Sequence, residues 1–94
     1  MIVAVANYFP DAVRGKMKLW FVEPKPNVFV SGIKDNLALN VVDMLMKYCP
    51  DESGLLIFME ISTPPFYRIY AKGSPTKTIS SISGLQLVID KRIE

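Results

Sequence analysis

Residues 9–32 read FPDAVRGKMKLWFVEPKPNVFVSG, and the fold turns on how that stretch is divided. It starts where an apolar run ends, at Pro10, and opens a helix. Val13, Met17, Trp20 and Phe21 fall at i, i+4, i+7 and i+8, which places them on one helical face. Arg14 and Lys18 lie one turn apart on a different face, with Lys16 beside them. One face is patterned for burial and another for something negative. Pro24 and Pro26 then stop the helix, because the residue before a proline is pushed out of the α region. The chain restarts as an apolar strand, Val28-Phe29-Val30.

Working outward, Ile2–Ala6 is a continuous apolar run rich in β-branched residues, the pattern of a strand buried on both faces. The first helix is expected over Asp11–Val22, with Asp11 in the first turn, where a carboxylate suits the helix dipole. Ser31-Gly32 breaks the second strand. From Asp35 to Tyr48 the pattern is helical again. Asn36, Asn40, Asp43 and Lys47 make one thin polar stripe, and apolar residues fill the remainder. Residues 49–54 form a turn, Leu55–Ile61 an apolar strand, and Ser62-Thr63-Pro64-Pro65 a second turn. Phe66–Ala71 returns as a strand with Tyr67 and Ile69 on one face and Arg68 on the other. Lys72–Gly84 is poor in hydrophobic residues and reads as an extended loop, before a last strand at Leu85–Ile89 and a charged tail. Strands interleaved with two helices imply an α+β domain with both helices on one sheet, in the order β-α-β-α-β-β-β. This is a variant of the ferredoxin-like plan. The first connection crosses over right-handed if its strands are parallel.

The chain has 94 residues, the size of a single domain over 1–94. Half of it is hydrophobic (50%) and 21% is charged, a surplus of apolar surface that predicts an oligomer. The net charge of +2 is small, but its distribution is uneven. Through Lys34 the basic residues are Arg14, Lys16, Lys18, Lys25 and Lys34, against Asp11 and Glu23. A local basic face on a nearly neutral protein fits contact with phosphates, and it also fits a solvated helix face.

Several chemistries are removed at once. There is no histidine, which excludes His-based acid–base catalysis, Ser-His-Asp and Cys-His systems, and imidazole metal sites. A single cysteine, Cys49, allows no internal disulfide and no zinc spacing, and reads as a buried thiol at a helix end. The run Ile2–Ala6 is too short to span a membrane and lacks the basic residues of a signal peptide, so a cytoplasmic protein with no membrane partner is expected.

Together these residues suggest a family. The chain resembles the small CRISPR adaptation protein of type I-E systems, the partner of the CRISPR integrase. The resemblance is carried by the apolar first strand, Pro10, Arg14-Gly15-Lys16, Trp20, Glu23 and Val28-Phe29-Val30. Gly73, Lys77 and Ser83-Gly84-Leu85-Gln86-Leu87-Val88 extend it over nearly the whole length. It implies a ferredoxin-like homodimer between integrase dimers, holding double-stranded foreign DNA as a non-catalytic scaffold during spacer acquisition. By position, Arg14, Lys16 and Lys77 match residues that touch the DNA backbone, and the segment of Leu85, Leu87, Val88 and Ile89 matches the part that docks on the integrase. Ala12 and Thr76 stand where the family carries further basic residues.

Phosphate contacts position a duplex without reading its sequence, which suits a protein that must accept arbitrary DNA. Arg14 and Arg68 can engage a phosphate in bidentate fashion, while Lys16, Lys18, Lys34, Lys72 and Lys77 act as point charges. Trp20 shares the apolar helix face and is expected in the core rather than as a stacking residue. Many relatives carry a carboxylate at the end of the first strand, and some are described as metal-dependent nucleases on that basis; here the residue is Asn7. Magnesium prefers anionic oxygen ligands, so no cofactor is expected, Mg²⁺ entering only under the alternative of a metal-dependent endonuclease. An RNA-recognition module would show exposed aromatics in a Lys/Arg-Gly-Phe-type motif, and Phe58 lies in an apolar run without one.

Overall fold

The computed structural model of the chain describes residues 1–73. In order, these form β1 (Ile2–Val5), α1 (Asp11–Met17), β2 (Val22–Lys25), β3 (Val28–Ser31), α2 (Asp35–Tyr48), β4 (Leu55–Glu60) and β5 (Tyr67–Lys72). A single 3₁₀ turn, Asp51–Ser53, precedes β4. The strands make one five-stranded sheet in the order β2-β3-β1-β4-β5, with every neighbouring pair antiparallel. The α+β, ferredoxin-like expectation holds. Because β3 is antiparallel to both β1 and β2, those two strands run in the same direction with β3 between them. The helical connection that closes a parallel unit therefore ends in β2, a strand the sequence reading does not include.

That strand comes at the expense of the first helix, expected to reach Val22 but ending at Met17. The turn tightens as Leu19 N–H donates to the Lys16 carbonyl and Trp20 N–H to that of Met17. Val22–Lys25 then pairs with β3, Val22 opposite Val30 and Lys25 opposite Val28. Pro24 is tolerated because β2 lies at the edge of the described sheet, where an N–H can be spared. Pro26-Asn27 turns the hairpin, and Asn27 takes a positive φ of 64°. Proline followed by a residue at positive φ is the combination that favours a type II turn.

Val13, Met17 and Phe21 are buried as their spacing predicts, but Trp20 is 45% exposed and is not a core residue. Shortening the helix rotates it off the buried face. The second helix occupies the expected span and buries Ala38, Val41, Val42 and Leu45. Its polar stripe (Asn36, Asn40, Asp43, Lys47) faces outward. Cys49 follows it as a buried free thiol, and burial raises its pKa above the ordinary 9.0.

On β4, Leu55, Ile57 and Met59 join the helix-side core, while Leu56 and Phe58 form a second cluster with Val3 and Ile69 on the other face. The centre of the helix-side core is Phe29, with the Phe9 ring edge-on at 5.0 Å and the Phe21 ring edge-on at 6.3 Å. The β4–β5 turn takes in Ile61 and Phe66, both expected in strands. Phe66 sits at φ 75° with its N–H on the Thr63 carbonyl, and the Pro64–Pro65 peptide is cis. Lys72, expected in the late loop, closes β5 instead. The expected loop beyond it, Lys77 and the Leu85–Ile89 strand lie outside the described residues.

Candidate nucleic-acid interface

The first helix is too short to hold itself together, since isolated helices of that length are unstable in water. Its buried residues fix one side. Its basic residues divide into two kinds.

Arg14 is turned inward. Its Nη2 donates to both carboxylate oxygens of Glu23, at 2.9 and 2.7 Å, and its Nη1 donates to Asn27 Oδ1 at 2.9 Å. The guanidinium carbon lies 5.4 Å from the centre of the Phe29 ring, within the range of a cation–π contact. Glu23 also accepts from the Asn27 backbone N–H at 2.8 Å. That amide, and then the Arg14 guanidinium, hold the Glu23 carboxyl below its ordinary pKa of 4.5. Asn27 continues the network by donating from Nδ2 to the Asn7 carbonyl at 2.9 Å. Asn7 N–H in turn donates to the Ser53 carbonyl at 2.7 Å.

Lys16 and Lys18 are exposed. Lys16 borders a groove between the helices, ≈ 310 Å³ in volume and lined by Pro10, Ala12, Val13, Lys16, Met44 and Tyr48. Lys34 and Arg68 are exposed as well, Lys34 preceding α2 and Arg68 on β5 opposite Met59. Lys72 is half-buried and its ammonium donates to the Met46 carbonyl at 2.6 Å, in the last turn of α2. Of the residues expected to meet DNA, Lys16 on α1 and Lys18 at its C-cap are therefore both at the surface. Arg14 and Lys72 are engaged within the chain, and Lys34 and Arg68 stand on other elements. Lys77, Leu85, Leu87, Val88 and Ile89 are outside the described residues. Sequence reading missed the Glu23 partner of Arg14. The signal available was the acid itself, set directly before the Pro-Lys-Pro-Asn turn.

The residues near the end of β1 do not fit a magnesium ion. Asn7 offers a neutral amide oxygen where the ion prefers anionic ones. Among the described residues no three His, Cys, Asp or Glu side chains converge on one point. None of the described helices is long and apolar enough to cross a membrane.

The exposed lysines supply positive charge, which suits a backbone-contacting surface. Residues 1–87 match the family model described as CRISPR-associated protein (Cas_Cas2CT1978). No curated protein matches the chain.

Proposed function

The chain belongs to this family of CRISPR-associated proteins, and from that premise we propose that it is a DNA-binding scaffold of spacer acquisition. In this reading a homodimer in the cytoplasm holds a foreign duplex for the CRISPR integrase, and the chain itself does not cut. Lys16 on α1 and Lys18 at its C-cap are the primary phosphate contacts, with Lys34, Arg68 and Lys77 extending the path of the duplex. The segment of Leu85, Leu87, Val88 and Ile89 is the integrase-docking part. One observation carries the reading: Lys16 on α1 and Lys18 at its C-cap are exposed, while Glu23 is already paired with Arg14. Set against Asp11 in the first turn, the two lysines leave this segment net positive, and positive charge draws in phosphates without regard to sequence.

The test is insertion of a labelled duplex into a CRISPR repeat by the cognate integrase, with and without the chain. Insertion is expected to require the chain, to survive Asn7→Ala, and to fail with Lys16→Glu plus Lys18→Glu. Insertion indifferent to the chain would sink the proposal. Mg²⁺-dependent cleavage by the purified chain that disappears with Asn7→Ala would favour the nuclease instead.

A further inference from the structure

We infer that Arg14 is a positioning residue rather than a phosphate contact: it is the strut that holds α1 in place so that Lys16 and Lys18 can meet the duplex. The inference rests on the DNA-binding reading and divides the labour within that surface.

Consider what a phosphate would have to displace. One nitrogen of the Arg14 fork, Nη2, already donates to both oxygens of the Glu23 carboxylate in a charge-assisted contact. Its Nη1 is occupied by Asn27 and its central carbon lies over the Phe29 ring. The Arg14 and Glu23 side chains are only 28% and 19% exposed, and the pair carries no net charge with which to attract a phosphate. Lys16 and Lys18 have neither constraint. They are exposed cations on flexible stems, able to reach a backbone whose exact position varies.

Now consider what the strut connects. Arg14 belongs to α1, Glu23 to β2 and Asn27 to the hairpin turn, and Asn27 Nδ2 reaches the Asn7 carbonyl just past β1. Four segments meet through one guanidinium and one amide. Lys18 N–H donates to the Arg14 carbonyl at 3.1 Å, so the backbone that carries the lysines is tied directly to the strut. A helix of seven residues needs such a tether to keep a fixed bearing on the sheet.

The deciding experiment measures affinity for a short DNA duplex over a series of salt concentrations, at a temperature where every variant is folded. The chains compared are wild type, Lys16→Gln, and the double variant Arg14→Gln plus Glu23→Gln. The double variant leaves net charge unchanged and removes the strut. Loss of a phosphate contact lowers the slope of log affinity against log salt by about 0.9. Lys16→Gln is expected to show that fall. The double variant is expected to bind roughly threefold more weakly with an unchanged slope, the mark of misplaced rather than missing contacts. A slope reduced as far as by Lys16→Gln would overturn the inference in favour of direct contact. Unchanged affinity would overturn it too, leaving only a structural ion pair.

Should wild type bind no duplex, the DNA-binding reading fails, and the strut is judged by thermal melting alone. The two single variants would each lower Tm by several degrees, and the double by less than their sum. Additive losses would then refute it.

Discussion

Gly73 lies against the 3₁₀ turn so closely that a Cβ added to it would collide with the carbonyl oxygen of Asp51. The residue also sits at φ +75°, a region that side-chain-bearing residues enter at a cost of about 1–2 kcal/mol. At this point the end of β5 and the turn before β4 meet backbone against backbone. Gly73→Ala meets both the conformational cost and the collision, and the obstacle is backbone rather than a yielding side chain. A loss of more than about 2 kcal/mol is expected, read from urea unfolding midpoints at constant m-value. A variant as stable as wild type would show that this approach is not made in solution.

The Glu23 carboxyl, held below its usual pKa by the Asn27 amide and the Arg14 guanidinium, makes stability depend on pH with a definite sign. Its folded-state value is depressed, so its contribution is present above the unfolded value near 4.5 and is lost as pH falls through the folded one. Glu23→Gln should be less stable than wild type at neutral pH. The difference should shrink as pH drops below about 4.5. Unfolding titrations of both chains at several pH values measure it, and a gap independent of pH would contradict the assignment.

The second helix was legible in the sequence to its bounds because fourteen residues sustain one polar stripe, which no strand period imitates. Strands β1, β3 and β4 were legible because their apolar, β-branched runs are short and bounded by turns. Strand β2 was not. Val22-Glu23-Pro24-Lys25 is an edge strand with little apolar content, and Met17, Trp20 and Phe21 continue the helical spacing straight into it. Two prolines served equally well as a helix stop or as the edge and turn of a hairpin. The Arg14–Glu23 pair was hidden for the same reason. Nine positions apart, these residues face each other only after the chain has reversed, and a helix through Val22 does not bring them together.

Lys72 ties β5 to the last turn of α2, where carbonyls lack helical partners and a cation is favoured. Cys49 follows directly and is fully buried, so a thiol reagent can reach it only through a local opening. Lys72→Met keeps most of the apolar stem and removes the ammonium. It is expected to cost about 1 kcal/mol and to speed native-state labelling of Cys49 several-fold. Labelling as slow as in wild type would mean that α2 does not depend on this tether.

Trp20 and Phe29 provide the sharpest contrast between the two ways of dividing the first segment. A helix running to Val22 would bury Trp20 beside Met17, and Trp20→Ala would then cost the 3–5 kcal/mol typical of a large aromatic removed from a core. The shorter helix leaves Trp20 45% exposed and gives the central position to Phe29, which is fully buried between Phe9 and Phe21. Phe29→Ala is therefore expected to lose about 4 kcal/mol, enough to threaten folding in a domain of this size. Trp20→Ala should lose only about 1 kcal/mol, because the part of the ring in contact with the protein is modest. Acrylamide quenching adds a check that needs no substitution, since Trp20 is the single tryptophan of the chain. Its native emission should be quenched readily. Strong protection from quencher, with the two alanine variants ranked in the opposite order, would restore the longer helix and remove β2 from the fold.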